Sequence, residues 1–171
     1  MRLILAILLL FFLAACEPAH EAAPPPKLAA ADTPLATQIA AVRAGTAIEI
    51  RLHHTKFTRQ DVAAIAALSQ LIRLNLSETD LTDDDLKQLA ALPNLETLRF
   101  SSPHVTGRAL EHLATSATLR HLLIFDTPIT DGGLVHLANL KTLESLYLTN
   151  TRVTDAGLSS LLKQRPSLHV H

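Results

Sequence analysis

Apolar residues recur along this chain at a fixed spacing of 24 residues. The five copies of the pattern begin at Ala47, Leu71, Leu95, Leu119 and Leu143. The first, fourth and sixth places of a copy are apolar, as Leu71, Leu74 and Leu76 are in the second copy. Alternation over such a short run predicts a strand with one buried face. A fixed period of this length is typical of a solenoid, in which each copy buries its apolar faces against its neighbours.

A threonine stands at the twelfth place of every copy, and apolar residues at helical spacing follow it. This column consists of Thr58, Thr82, Thr106, Thr130 and Thr154. A threonine hydroxyl accepts hydrogen bonds from the free amides of a first helical turn, so each copy is predicted to begin a helix here. Acidic residues follow in most copies and favour the helix start. Gly107 and Arg108 replace them in the third copy and predict a weaker start. A threonine surface that binds ice or a flat polymer is the alternative, and capping explains the column without it.

The segments 129–134 (Ile-Thr-Asp-Gly-Gly-Leu) and 153–158 (Val-Thr-Asp-Ala-Gly-Leu) resemble a repeat motif of short bacterial leucine-rich repeat proteins. The resemblance covers 47–171 and implies an α/β fold, a right-handed solenoid with a parallel sheet on its concave face and helices on its convex face. It also implies that the concave face binds another protein. Most of the family has Asn or Cys at the ninth place, where this chain has Thr in four copies and Pro103 in the third. Threonine is expected to bond to neighbouring backbone less completely.

The N-terminus has the layout of an export signal. Arg2 precedes the apolar run 3–13, which is too short for a membrane span of about 20 residues. The sequence Leu-Ala-Ala-Cys at 13–16 resembles a bacterial lipobox. This implies cleavage before Cys16 and attachment of a diacylglycerol to its sulfur. The alternative is an ordinary signal peptide in which Cys16 has no special role. Cys16 is the only cysteine, so the chain cannot form an intramolecular disulfide.

These features divide the chain into four parts. They are a signal peptide at 1–15, the lipidated cysteine with an Ala/Pro-rich tether at 16–33, a capping helix at 34–46 and the repeat domain at 47–171. The tether is predicted to act as a semi-rigid spacer. Thr33 is predicted to cap the helix with Pro34 as its first residue, and Gly45 to end it. The resemblance to bacterial lipoproteins implies that Glu17, where Asp favours retention in the inner membrane, favours the outer membrane, with the repeats expected to face the periplasm or the cell surface.

The C-terminal segment is predicted to begin a sixth strand. Val170 lies 24 residues after Leu146 and is expected to pair with it. An exposed strand edge promotes association between chains. The polar residues Arg165, His169 and His171 are expected to limit this at the edge.

The places that face outward on the predicted concave face change from copy to copy, so a binding function is expected there. The candidate residues fall into a basic set and an apolar set, namely Arg51, Arg73, Arg99 and His121, and Leu123, Phe125 and Tyr147. Leu123 and Phe125 are expected to be exposed, since Leu122 and Ile124 point inward. Exposed aromatic and arginine side chains are the usual anchors of protein interfaces. We hypothesise that this set binds a protein partner; the alternative is a scatter of ordinary surface residues.

Other functional classes are less favoured by the sequence. The nine histidines suggest a metal site, but His53 and His54 are adjacent on a strand and are expected to face different directions. His112 and His136 are predicted to stack on the helices without a third ligand, whereas catalytic zinc sites use three. No catalytic residue, metal site or cofactor is predicted. A net charge of −1 disfavours nucleic acid. A structural lipoprotein that braces an envelope assembly stays open as an alternative.

Overall fold

The computed structural model describes residues 33–56 and 58–171. The predicted signal peptide, Cys16 and the tether up to residue 32 lie outside the described residues. The strands are β1 (Glu49–His53), β2 (Arg73–Ser77), β3 (Thr97–Ser101), β4 (His121–Phe125), β5 (Ser145–Thr149) and β6 (His169–Val170). The helices are α1 (Leu35–Arg43), α2 (Arg59–Ala66), α3 (Asp83–Leu89), α4 (Gly107–Leu113), α5 (Asp131–Leu137) and α6 (Asp155–Gln164). No helix in this part of the chain is long and apolar enough to cross a bilayer.

The strands form one parallel sheet in the order β1 to β6, and the register repeats the sequence period. Leu74 lies beside Leu98, and Leu122 lies beside Leu146. On the other side of β5, Leu146 pairs with Val170, which confirms the predicted sixth strand. Each helix packs on the helix of the next copy. The predicted α/β leucine-rich repeat solenoid is therefore confirmed, with the sheet forming one face and the helices the other.

The core lies between the sheet and the helices and consists almost entirely of aliphatic side chains. The fourth and sixth places of β1 to β4 and the fourth place of β5 are buried, as predicted from their alternation, whereas Leu148 at the sixth place of β5 is half-buried. Among the residues that the structure describes, Phe100 is the exception in side-chain type: it is fully buried at the sixth place, between Leu76 and Ile124 in the sheet register. A single aromatic ring therefore occupies a middle layer where neighbouring copies have branched aliphatic residues.

Four of the five threonines cap their helices as predicted, but the acidic residues that support them come from two places. Thr58 and Thr82 each form a capping box with an aspartate of their own helix, Asp61 and Asp85. Thr106 is supported from the preceding copy, since its amide and hydroxyl donate to Asp83 over 2.7 and 2.6 Å. The prediction of a weaker start for α4 missed this contribution from the neighbouring copy.

Thr130 is the threonine of this column whose side chain makes no capping bond. The aspartates that reach forward, Asp83 and Asp131, each begin a helix 23 residues before the threonine they bind. The corresponding residue before Thr130 is Gly107, which has no carboxylate. The weaker capping that the sequence predicted for the helix of the third copy is therefore found one copy later, at the start of α5.

We expect Asp131 to make the fold sensitive to acid. Two hydrogen bonds from Thr154, first that of the hydroxyl and then that of the amide, lower the pKa of Asp131 in the folded chain. A lowered folded-state pKa gives stability that is present above the unfolded pKa and is lost as the pH falls through the folded pKa. The difference in unfolding midpoint between the wild type and Asp131→Asn should therefore shrink on acidification. A difference that stays constant down to the acid end would exclude this role.

The N-terminal edge of the sheet is closed by a side chain that the sequence did not reveal. Gln38 of α1 is 1 % exposed, and its amide donates to the carbonyl of Arg51 over 2.9 Å and accepts from the Arg51 amide over 2.8 Å. It thus replaces the backbone of a preceding strand. The predicted capping helix is present, but it begins at Leu35 after Pro34, so the start predicted with Thr33 as its cap was one residue early. Gly45 follows its end with a positive φ of 72°.

Arg165 does not lie on the surface, contrary to the expectation that it keeps the C-terminal edge polar. The residue is 6 % exposed, and its guanidinium donates to four carbonyl oxygens that follow or end α5. These acceptors are Leu137, Leu140, Lys141 and Leu143. A guanidinium has five donors in a fixed fork, so it can satisfy several carbonyls at once. Arg165 therefore satisfies backbone carbonyls between α5 and β5 and does not lie at the exposed strand edge.

Replacing Arg165 with Met should destabilise the fold by about 1–2 kcal/mol, because the buried carbonyls lose their donor while the side-chain stem is largely kept. Urea unfolding of the full chain measures this effect. Lys163→Met on the exposed side of α6 is the matched control, expected to change the free energy of unfolding by less than about 0.5 kcal/mol. Equal effects of the two substitutions would contradict the assigned role of Arg165.

Candidate binding face

The seven predicted binding residues lie on the side of the sheet turned away from the helices, which we call the concave face. Register places them in adjacent rows: Arg51, Arg99, Leu123 and Tyr147 occupy the fifth place, Arg73 and His121 the third, and Phe125 the seventh. Their side chains differ in exposure and in their contacts, and this decides which of them can meet a partner.

Arg51 is held by an ion pair on its own strand. Its Nε lies 2.5 Å from Oε1 of Glu49, and a second nitrogen lies 3.2 Å from Oε2. The hydrogen bond to Glu49 raises the pKa of Arg51. Glu49 is 6 % exposed and offsets the charge locally. The predicted basic set is therefore weaker than its sequence suggests, because Arg51 is neutralised, whereas Arg73 is exposed one strand away.

Arg99 joins three strands at the centre of the concave face. Its Nε donates to the hydroxyl of Ser77 over 3.1 Å, and its guanidinium carbon lies 4.5 Å from the centre of the Phe125 ring. A cation over the face of an aromatic ring is attracted by its quadrupole, by about 0.5–1 kcal/mol at an exposed site. The arginine and the ring thus hold each other in a defined position, and the arginine itself is exposed.

The apolar set is half-buried rather than exposed, so the expectation for Leu123 and Phe125 was wrong in degree. Phe125 is covered in part by Arg99, and the Tyr147 ring stacks on His171 with 4.2 Å between ring centres and an 8° tilt. Leu123 lies between Arg99 and Tyr147 in the register. The result is a continuous strip that we call the aromatic strip, made of Arg99, Leu123, Phe125, Tyr147 and His171.

Beside this strip the first strands form a shallow depression of about 280 Å³. It is lined by Glu49, Arg51, Arg73, Leu74, Asn75, Thr97, Arg99 and Leu123. Four of the predicted residues thus share one surface. The depression is open and lined by both charged and apolar groups, which fits contact with a side chain of a partner better than enclosure of a small substrate.

Several residues at the seventh and eighth places, where the strands end, have a structural task. Ser77, Ser101 and Ser102 are buried, and the Ser102 hydroxyl donates to the carbonyl of Leu81 over 2.7 Å. At the eighth place the backbone is left-handed in four copies, at His54, Glu78, Asp126 and Asn150. Ser102 departs from this row because Pro103 follows it and disfavours helical backbone in the preceding residue. The turn after each strand was not visible in the pattern of apolar residues.

Three of the four threonines at the ninth place, Thr55, Thr79 and Thr127, donate to backbone carbonyls, as expected. The hydroxyl of Thr127 donates to the carbonyl of Phe125 over 2.7 Å and accepts from the amide of Ser102 over 3.3 Å. The hydroxyl of Thr79 donates only within its own copy, to Leu76. The row therefore links neighbouring copies at one point, between the third and fourth.

The helix side presents apolar residues that the sequence analysis did not single out. Val135 on α5 is 56 % exposed and Leu162 on α6 is 37 % exposed. A groove of about 280 Å³ runs between these helices, with Val135, Ala156 and Leu161 among its lining residues. Helical periodicity predicts which residues face the core, and Val135 lies outside that stripe. The groove is therefore a second apolar surface, on the helix side of the fold, that a partner could contact instead of the concave face.

The expectation that His53 and His54 face different directions was wrong. Their ring centres are 4.0 Å apart, and both approach the carboxylate of Glu78. The other predicted pair, His112 and His136, lies on α4 and α5, and Nε2 of His112 is buried without a hydrogen-bond partner among the described residues.

Comparison with known proteins defines the class of fold. A leucine-rich repeat family profile matches residues 139–162, which contain the fifth strand and most of the last helix. None of the curated proteins matches the chain in sequence. The fold is that of a leucine-rich repeat protein, and three solved structures show it.

An internalin of Listeria monocytogenes is 20 % identical with a TM-score of 0.56 over 77 % of this chain and 36 % of its own. The actin-binding site 2 of leiomodin-1 is 14 % identical with a TM-score of 0.58 over 78 % of this chain and 90 % of its own. A leucine-rich repeat protein of Leptospira interrogans is 16 % identical with a TM-score of 0.51 over 76 % and 38 %. This chain thus spans only about a third of the length of the internalin.

Proposed function

We propose that this chain is a non-enzymatic binding module and that its concave face contacts a protein partner. The observation that carries the proposal is the aromatic strip, in which Arg99, Phe125 and Tyr147 lie on the same face of three neighbouring strands. Tyrosine and arginine are enriched among residues that dominate binding energy in protein interfaces. The contacts of Arg99 with Ser77 and Phe125 reduce the entropy that these side chains would lose on binding.

The shape of the surface also favours a macromolecule over a small substrate. The strip and the depression beside it are open and lie on a sheet whose backbone is fixed by parallel pairing on both sides. The leiomodin-1 structure, which has the same fold and a similar length, is an actin-binding site. A chain with this fold can therefore bind a protein, and the residues that would do so here differ from copy to copy.

The proposal predicts that alanine substitutions in the strip reduce partner capture without unfolding the chain. The affinity for the partner should fall by at least about 100-fold in the triple variant Arg99→Ala, Phe125→Ala, Tyr147→Ala, because two or more anchors are lost. The full chain is crosslinked in its own cells and the recovered proteins are measured by mass spectrometry. Lys87→Ala, Glu111→Ala and Val135→Ala combined, on the helix side, form the matched control. Equal recovery by both combined variants would contradict the assigned face.

We further propose that the chain is exported and held on a membrane by lipid on Cys16, with the outer membrane as the expected site. The support is the sequence 13–16 (Leu-Ala-Ala-Cys) after a short apolar run, together with the Ala/Pro-rich tether. Two or three acyl chains anchor a protein stably, whereas one is marginal. Such an anchor would present the concave face at a distance from the bilayer.

The anchor is tested by labelling growing cells with an alkyne analogue of palmitate. The wild-type chain should become labelled and should fractionate with membranes, and Cys16→Ser should do neither, because the thioether cannot form. Ser77→Ala is a control that leaves the cysteine in place. Label on the Cys16→Ser chain, or none on the wild type, would contradict lipidation.

The alternative function, a lipoprotein that braces an envelope assembly, rests on the exposed apolar residues Val135 and Leu162 of the helix side. A brace would use both faces and would be recovered in a fixed ratio with one complex. A binding module would be recovered with its partner through the concave face alone.

A further inference from the structure

The residues His53, His54 and Glu78 form a cluster that the proposed function does not use. It lies where β1 and β2 end, at the border of the concave face. Successive side chains of a strand point to opposite sides, which would separate the two imidazoles. His54, however, is left-handed with a φ of 51° and lies just after the strand, so the chain turns there. The two rings consequently lie on one side, 4.0 Å apart and tilted by 54°.

Glu78 completes the cluster from the next copy. It occupies the same left-handed place, with a φ of 54°, and its carboxylate spans both rings. Oε2 lies 2.8 Å from Nδ1 of His54, and Oε1 lies 3.7 Å from Nε2 of His53. Each imidazole thus offers one nitrogen to a different carboxylate oxygen. The three side chains have ligand atoms that all lie within 4.8 Å of one another.

This set of donors matches the preference of borderline divalent metals. Two imidazole nitrogens and one carboxylate oxygen, with a further position free for water, form a recurrent zinc ligand set. Metal–ligand bonds of about 2.0–2.2 Å place ligand atoms about 3.4 Å apart in a tetrahedral site. The 3.7 Å separation is already close to this value, and the side chains are about half exposed, which leaves them free to rotate by the small amount still needed.

The same row elsewhere shows what an ordinary contact looks like. In the fourth and fifth copies the left-handed residues are Asp126 and Asn150, and the amide of Asn150 donates to the carboxylate of Asp126 over 2.7 Å. That pair needs only two residues. The first copy has a second histidine, His53, directed at the other oxygen of the same carboxylate. The His54–Glu78 contact alone does not account for the approach of His53 to the same carboxylate.

We propose that His53, His54 and Glu78 bind a divalent transition metal of the zinc class at the border of the concave face. The ion takes the place of the direct His54–Glu78 contact and links the first two copies of the solenoid. Three protein ligands leave at least one coordination position directed to solvent, where water or a donor atom of another molecule binds. The proposed metal site does not depend on the proposed protein-binding strip, and its test is separate.

Titration of the full chain in detergent with Zn²⁺, in competition with a chromophoric chelator, tests the site. The wild type should bind one ion, and His54→Ala and Glu78→Gln should each raise the Kd by about tenfold or more, the scale of effects seen even for residues behind the ligands. His104→Ala, an exposed histidine outside the cluster, is the matched control and should leave the Kd unchanged. An unchanged Kd in both ligand variants would overturn the proposal.

A second measurement locates the ion. In nuclear magnetic resonance spectra, substoichiometric Cu²⁺ should broaden the ring signals of His53 and His54 before those of the other histidines, since imidazole binds copper well. Uniform broadening of all histidine signals would show nonspecific binding and would also overturn the proposal. Circular dichroism of each variant confirms that the exposed substitutions leave the fold intact.

Discussion

Phe100→Ala should destabilise the solenoid by about 3–5 kcal/mol, the largest loss we expect from one substitution. The ring is fully buried in the middle layer, between Leu76 and Ile124 of the neighbouring strands. Its removal takes away apolar burial and leaves a cavity that two stacked layers must share. Because each copy is stabilised by its neighbours, a weak middle layer also separates the two ends of the solenoid. Guanidinium unfolding followed by far-UV circular dichroism measures both effects, as a lower midpoint and a broader transition.

Phe100→Leu is the matched control for this prediction. It inserts the residue found at the same place in the second copy, Leu76, and keeps most of the apolar volume. We expect a loss below about 1.5 kcal/mol with a single sharp transition. If Phe100→Ala lowers the free energy of unfolding no more than Phe100→Leu does, the ring is not required to pack the middle layer.

Gly133→Ala should destabilise the fold by about 2–3 kcal/mol, because a side chain there collides with backbone. A Cβ on Gly133 would lie 2.6 Å from the Cα of Gly107, and a Cβ on Gly107 would lie 2.8 Å from the Cα of Gly133. The starts of α4 and α5 thus touch through two glycines. The helices must move apart to admit a methyl group, and this strains the strand register that they cover. Thermal or urea unfolding of the full chain measures the loss.

Gly132→Ala provides a control one residue away on the same helix. A Cβ there meets only the hydroxyl of Thr130, at an ordinary 3.7 Å. Alanine also loses less backbone entropy than glycine in a helix, so the substitution should be neutral or stabilising by up to about 1 kcal/mol. Opposite signs at Gly132 and Gly133 would establish close helix contact as the reason for the second glycine. Equal effects would refute it.

The repeat period and the resemblance to leucine-rich repeat proteins together were sufficient to predict the fold. The period predicted a solenoid, and the resemblance implied its parallel sheet, in which Leu74, Leu98 and Leu122 are register partners at the same place of successive copies. The helix starts followed from the threonine column. What the period could not predict is contact between copies that uses unlike residues. Asp83 capping the next helix and Gln38 closing the first strand both need the fold to bring them into place.

The candidate site was predicted in position but not in detail. Sequence spacing placed Arg99 and Phe125 on adjacent strands, and the cation–ring contact between them is consistent with that placement. It could not predict that Arg51 is neutralised by Glu49 on its own strand, because side-chain direction within one face depends on neighbours. The histidine cluster was missed for another reason. Alternation along a strand ends where the backbone becomes left-handed, and the pattern of apolar residues does not mark that point at His54.

Site-specific photocrosslinking tests the central claim, that a protein partner binds the concave face, most directly. A photoreactive amino acid is placed at Thr149, an exposed residue of β5 beside Phe125, or at Val135 on the helix side. The full chain carrying either substitution is irradiated in its own cells, and adducts are separated by mass. We expect a discrete protein adduct from position 149 and none from position 135. An adduct from position 135 with none from position 149 would contradict it.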